Sequence, residues 1–370
     1  MPTPHLQREL LSLTRDLISI PSCHSRPGEI DACADFIGRW LAAHNIPYSR
    51  QVSGSIPSIT VLPKPSHAPV LFMTHFDVVE AENKKLFEPV EKHGKLYGRG
   101  SIDDKYAVAL SLVLFREYYT KFLTDGMTLA DMQFGLLFTG DEEVGGAHGA
   151  KIVSESITTD FFVAIDGGRP DLIVTKEKGI ILLELVAAGK AAHAARPWLG
   201  INAFDILVHD YALIQQMFSE TTDDHWHKTA VLSKVAAGNG STNIVPERAT
   251  AILDIRYTEN DDPHEIINSI KNMVNSDIIV HALEPVFQSG NSEYLDLLVK
   301  QAGAVKVGFE HGASDARYLS QLGIPGAIWG ADGEMSQHSE DEHIVLSSLF
   351  HLYDKLDSFL NILHTGRLAK

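Results

Sequence analysis

Three short apolar runs, "VLFM" at residues 70–73, "FGLLF" at 134–138 and "FFVAI" at 161–165, alternate with stretches of helical spacing at about 104–122 and 148–156. Strands that alternate with helices in this way build a mainly parallel sheet covered by helices, an α/β fold. Helices are also expected at residues 6–19 and 29–44, and a closing one at roughly 344–363, after "VKVGF" and "GAIWG" resume the strand pattern.

From "GIILLELVAA" at residue 179 the character changes. A long strand is followed by a helix at about 202–218, strands near 230–237 and 249–257, a helix at 263–275 and a strand at 277–283. That order is a small split α+β unit, read as an insertion. The expected organisation is therefore a domain in two parts, residues 1–179 and 287–370, interrupted by an inserted domain at 180–286, which 370 residues can accommodate.

With 48 acidic against 31 basic residues the formal charge is −17, which argues against nucleic acid or an anionic membrane as partner. No apolar run reaches spanning length, and "MPTPHLQRELLSLTRDL" lacks a basic segment followed by an apolar one, so a cytoplasmic protein is expected. Cys23 and Cys33 fit no zinc-type spacing and read as free thiols.

The apolar runs end alike, as "VLFMTHFD", "GLLFTGDEE" and "FFVAIDGG", and "MSQHSEDEH" follows the last one. Ligands of open α/β sheets bind at the carboxyl ends of the strands, so His75, Glu142, Glu143, Asp166 and His338 are expected to converge there. His343 competes with His338 for the last place. The loop "GRGSIDDK" at 98–105 would add Asp103; its paired aspartates suit a cation and would repel a phosphate. Histidine with carboxylates is a mixed nitrogen and oxygen ligand set suited to zinc or a related divalent metal, and one aspartate with two oxygens can bridge two ions. Asp77 lies two residues beyond His75, on the same side of an extended strand, where it can accept the imidazole's free N–H. In an extended "DEE" the two glutamates point apart, one toward metal and the other toward a bound water, whose pKa a metal lowers from about 15.7 toward 7.

In order along the chain, "HFDVV", "GRGSIDDK", "TGDEEVGG", "AIDGG", "HAARPWLGINA", "NIVPE", "DIR", "GASDAR" and "QHSEDEHI" resemble the zinc-dependent peptidases and amidohydrolases that include acetylornithine deacetylase, succinyl-diaminopimelate desuccinylase, glutamate carboxypeptidase and carnosine-type dipeptidases. The resemblance implies a zinc exopeptidase-like catalytic domain with an inserted lid that dimerises. It implies two zinc ions per chain, with cobalt or manganese as substitutes: Asp103 bridges them, His75 and Asp166 complete one site, and Glu143 and His338 the other. Glu142 is then the general base, Asp77 orients His75, and the Asp103–Asp104 peptide is cis, with Asp104 capping or buttressing the following helix. On the lid, His193 would stabilise the oxyanion across the dimer, and Asn243 and Arg256 would hold substrate, with Arg248 and Arg317 as substitutes for Arg256. Gly312 and Ser314 would line the pocket from the catalytic domain.

Family deacylases and carboxypeptidases commonly carry glutamate where Asp166 stands, whereas aminopeptidases and dipeptidases carry aspartate, so the expected substrate is a small peptide. The chain's length is nearer the deacylases, which keeps N-acyl amino acids as the alternative. A non-catalytic ligand-binding protein of the same fold is the rival class, and its mark would be a broken constellation. The GRG loop lacks a P-loop pattern, and no GxSxG elbow occurs.

Overall fold

The computed structural model describes residues 1–167 and 169–366. The chain divides into two compact units, the first formed by Met1–Thr175, Gln288–Phe309 and the stretch from Ser314 onward, the second by Lys176–Phe287 with Glu310–Ala313.

The first unit is built on a nine-stranded sheet. Along it run Ser49–Ser53, Ile56–Val61, Phe134–Thr139, His67–His75, Thr158–Ala164, Gly326–Ile328, Leu172–Glu177 and Phe287–Gln288, with Lys306–Glu310 also beside Leu172–Glu177. Its centre is parallel: His67–His75 pairs in parallel with both Phe134–Thr139 and Thr158–Ala164, and Gly326–Ile328 with Thr158–Ala164. The hairpin Ser49–Ser53/Ile56–Val61 adds antiparallel pairing at one edge. All six residues of Phe134–Thr139 are buried, the consequence of helices on both faces, and this is why the strand reads as a continuous apolar run. The long helix Lys105–Thr124 lies almost wholly inside, while Leu346–His364 buries a stripe of Leu349, Leu352, Leu356, Phe359, Leu360 and Leu363 at helical spacing. Helix Pro4–Ile18 begins with proline in its first turn and Thr3 Oγ1 accepting Leu6 N–H at 3.3 Å.

A second, three-stranded sheet pairs His343–Val345 with Lys95–Tyr97 and that strand with Val90–Lys92. Because His343 sits opposite Tyr97 in an antiparallel pair, the residues after Tyr97 run beside those before His343. The GRG loop and the SQHSEDE loop are thereby brought together.

The second unit has the expected strand, helix, strand, strand, helix, strand order. Its antiparallel sheet runs Thr229–Ala237, Arg248–Tyr257, Gly179–Ala188, Asp277–Glu284, and carries helices Ala203–Gln216 and Pro263–Met273. Alternation of buried and half-buried residues along Gly179–Ala188, broken only by exposed Ala188 at its end, shows one face packed under those helices.

Candidate metal centre

Parallel strands deliver their carboxyl ends to one edge of the sheet. His75, last residue of its strand, pairs with Thr139, and Met73 pairs with Ala164, so the segments leading to Glu142 and to Asp166 emerge on either side of the imidazole. Asp103 arrives from the GRG loop and places its two oxygens between two histidines: Oδ1 lies 3.0 Å from His75 Nε2, and Oδ2 3.0 Å from His338 Nε2. Asp166 Oδ1 stands 3.9 Å from His75 Nε2, and Glu143 Oε2 3.3 Å from His338 Nε2. The set is two poles, each an imidazole and a carboxylate, joined by one aspartate. His338 holds a left-handed backbone (φ 62°). His343 faces elsewhere, its Nδ1 2.8 Å from Asp341 O, and takes no part.

The supports behind these groups come from the chain's own loops. His75 Nδ1 lies 3.1 Å from the Asp77 carbonyl and 3.4 Å from its carboxylate, which leaves Nε2 turned to the cluster. Asp77 also accepts the N–H groups of Glu142 and Glu143, at 3.2 and 3.0 Å. Those two glutamates share the single helical turn Glu142–Val144, not extended chain, and they diverge nonetheless: Glu143 reaches His338, while Glu142 lines a small pocket with His75, Thr139, Asp166 and Asp315. Buried Glu342 pairs with Arg99, accepts Gly100 N–H at 2.8 Å, and so ties the GRG loop to the loop of His338, whose carbonyl accepts from Arg99 at 3.2 Å. Arg317 donates to Gly145 O at 2.9 Å, holding the glutamate turn from behind. Gly146 fits there because a Cβ would lie 2.0 Å from Asp315 Oδ1, and its φ of +64° favours glycine.

The Asp103–Asp104 peptide is cis. Asp104 corrects the expectation of a cap: it occupies the N-cap position of helix Lys105–Thr124, but its carboxylate makes no capping bond. That side chain turns inward, fully buried, with no well-formed hydrogen bond among the described residues and at most a weak one from the His75 backbone, into a group with His75 and Asp166 whose donor atoms all lie within 4.8 Å. Buried oxygens so poorly supplied with donors, beside carboxylates crowded around two imidazoles, fit divalent cations, whose charge balances such a set.

Burial dominates the electrostatics. It pushes Asp166 up to about 6 and Asp315 up to about 7, and holds Glu142 well above the usual carboxylate range. Asp103 goes the other way, since its bonds to His338 and His75 outweigh burial and lower it. Bonds to Asp103 and Glu143 raise His338 to about 10. An aspartate unfolded near 3.9 but raised on folding keeps its proton longer in the folded chain, so stability falls as pH rises through that interval. A raised histidine adds stability that is complete below about 6.5 and is lost as pH climbs toward its folded value. The metal-free protein should therefore melt higher at pH 5 than at pH 8, and zinc should narrow the difference. Melting curves with and without chelator measure this, and a metal-free midpoint that rose from pH 5 to pH 8 would contradict the assignment.

The remaining expected residues lie mostly in the second unit. His193 and Asn243 are exposed there and near one another: an isolated bridge pairs His193 with Ile244, and Ala194 N–H donates to Asn243 O at 2.8 Å. Arg256 holds Asp254 with two bonds of 2.8 and 3.1 Å through Nε and Nη2, so Asp254 already balances its charge. Gly312 belongs with the second unit, a correction to its placement in the catalytic domain, because Glu310–Ala313 pack there; Ser314 is buried in the first unit. The charged groups that sequence reading did not assign are Arg99, Glu342, Asp315 and His24. The first three lie inside motifs, which is the one signal that marked them.

Two imidazole poles joined by a bridging carboxylate, with a further glutamate in an adjoining pocket, are the equipment of a metal-dependent hydrolase. The chain belongs to Peptidase family M20/M25/M40, whose profile matches residues 71–361, and it is an enzyme of that hydrolase class. It is 28% identical over 379 residues to succinyl-diaminopimelate desuccinylase of Gluconacetobacter diazotrophicus, covering 95% of this chain and 96% of that one. A tripeptidase from Staphylococcus aureus has the same fold, with TM-score 0.78 and 21% identity over 97% of this chain and 99% of the other. So has a dinuclear metal binding peptidase from Bacillus subtilis, with TM-score 0.67 and 15% identity over 98% and 99%.

Proposed function

We propose that this chain is a di-zinc hydrolase of the amide bond in small peptides, and the bridging position of Asp103 carries that reading. His75 and Asp166 would hold one ion and Glu143 and His338 the other, with Asp103 shared between them and cobalt or manganese able to substitute. The bound ions would supply Lewis acidity, lowering the pKa of water and polarising the scissile carbonyl. Glu142 takes the proton of the attacking water and returns it to the leaving amine, and its raised pKa matches both halves of that task. Asp77 fixes the tautomer and direction of His75.

The second unit is read as a lid and a dimerisation domain in a cytoplasmic homodimer. Supporting this, it exposes Trp198, Leu199, Ile201, Phe204 and Val208 close together in the sequence, and Thr229–Ala237 is an edge strand with Val231 and Val235 exposed. His193 and Asn243 would be brought by the lid to the oxyanion, Arg256 to a substrate carboxylate, and Gly312 and Ser314 to the pocket wall. His193→Ala is expected to lower kcat by about 10²- to 10³-fold with zinc content unchanged; metal analysis beside kinetics checks it, and a variant of full activity would remove His193 from the reaction.

Asp166 favours peptides, while likeness to a desuccinylase over nearly the whole chain supports N-acyl amino acids as the second reading. A panel of dipeptides, tripeptides and N-acetyl or N-succinyl amino acids, run with zinc, cobalt and manganese, separates them. Hydrolysis of acyl amino acids alone would establish the second reading, and hydrolysis of neither class would defeat both.

A further inference from the structure

Asp77 is fully buried, and its carboxylate gathers donors from several parts of the chain. Oδ1 faces His75 and Glu142 N–H, while Oδ2 faces Glu143 N–H and, at 3.0 Å, His24 Nε2. A carboxylate can only accept here, so Nε2 carries the proton. His24 lies between the first two helices, outside every motif the sequence offered.

Its loop is built against the residues that follow strand His67–His75. Ser22 Oγ donates to Phe76 O at 2.5 Å, and Ser22 O accepts Val78 N–H at 3.1 Å. Ser25 donates through its N–H and Oγ to the Glu80 carboxylate at 2.8 and 2.7 Å. Bonded on both sides, His24 is held over Asp77 with its side chain only 24% exposed. The bond to Asp77 raises the imidazole's pKa, against the lesser effect of burial.

We propose that His24 is a positioning residue of the metal centre: by donating to Asp77 Oδ2 it fixes the carboxylate that orients His75 and seats the backbone of Glu142 and Glu143. The proposal rests on the reading of His75 and Glu143 as metal ligands. Without His24, Oδ2 keeps one N–H, and the strand exit and the glutamate turn lose part of their common anchor. Groups behind metal ligands typically control 10- to 100-fold in metal affinity or activity. His24 acts one bond further out, so the low end, about tenfold, is expected.

The test compares wild type, His24→Ala and His24→Gln by zinc competition with a chelating dye and by steady-state kinetics on whichever peptide or acyl amino acid the full-length enzyme cleaves. His24→Ala should bind zinc about tenfold more weakly and lose kcat with KM unchanged, and His24→Gln, which keeps an N–H donor, should recover most of both. Wild-type zinc affinity in His24→Ala, or a His24→Gln as impaired as His24→Ala, would overturn the role of His24 and leave the metal centre standing. A wild-type protein that bound no zinc, cobalt or manganese would overturn both.

Discussion

Glu142→Ala is expected to cut turnover by about 10²- to 10⁴-fold while zinc content stays at the wild-type level. Its carboxylate lines the small pocket beside His75 and Asp166, whereas Glu143 is the one that reaches His338. On the proposed reading the two neighbours in sequence separate into one group for protons and one for metal. Glu142→Gln keeps the shape and removes the basic oxygen, so it should be nearly as slow as the alanine variant. Metal analysis of both variants beside their kinetics decides the matter: substantial turnover in either, or loss of zinc from Glu142→Ala, would reverse the assignment of the pair.

Asp103→Ala should disturb both poles at once, which no other single substitution in the cluster is expected to do. Each of its oxygens lies 3.0 Å from a different imidazole, so removal takes a ligand from both ions. Total zinc should fall below one per chain, whereas His338→Ala or Asp166→Ala should spare the opposite pole. Stability offers a second readout. A metal bound only by the folded chain at 100 times its Kd adds about 2.7 kcal/mol per site. Wild type should show that rise in melting temperature when zinc is restored after chelation, and Asp103→Ala should show little of it. Zinc-dependent stabilisation of wild-type size in Asp103→Ala would remove the bridge.

Particular residues show what was legible in the sequence. "FGLLF" reads as a buried strand because both of its faces are covered, and a run of that kind needs no partner to be recognised. "SRQVS" does not, since Ser49–Ser53 is an edge strand, exposed at almost every position, whose pairing depends on Ile56–Val61. Strands of three residues, such as Val90–Lys92 and Lys95–Tyr97, are too short to display a period. In the site, His75, Glu143, Asp166 and His338 could be proposed because strand ends and quoted motifs mark them. The pairing of Arg99 with Glu342 and of His24 with Asp77 is a matter of tertiary packing alone. Burial is likewise invisible in "DDHWHK", a polar run in which His227 is buried.

The distance along the chain between Arg99 and Glu342 bears on how the enzyme comes into being. Residues His75, Asp103, Glu143 and Asp166 are all translated before the second unit, but His338 and Glu342 follow it. On the proposed ligand assignment, a ribosome that has released everything up to the second unit has made the residues of one pole, while the other still lacks its imidazole and its loop still lacks the glutamate that locks it. From Asp166 until His338 is made, the polypeptide would carry half of the proposed centre.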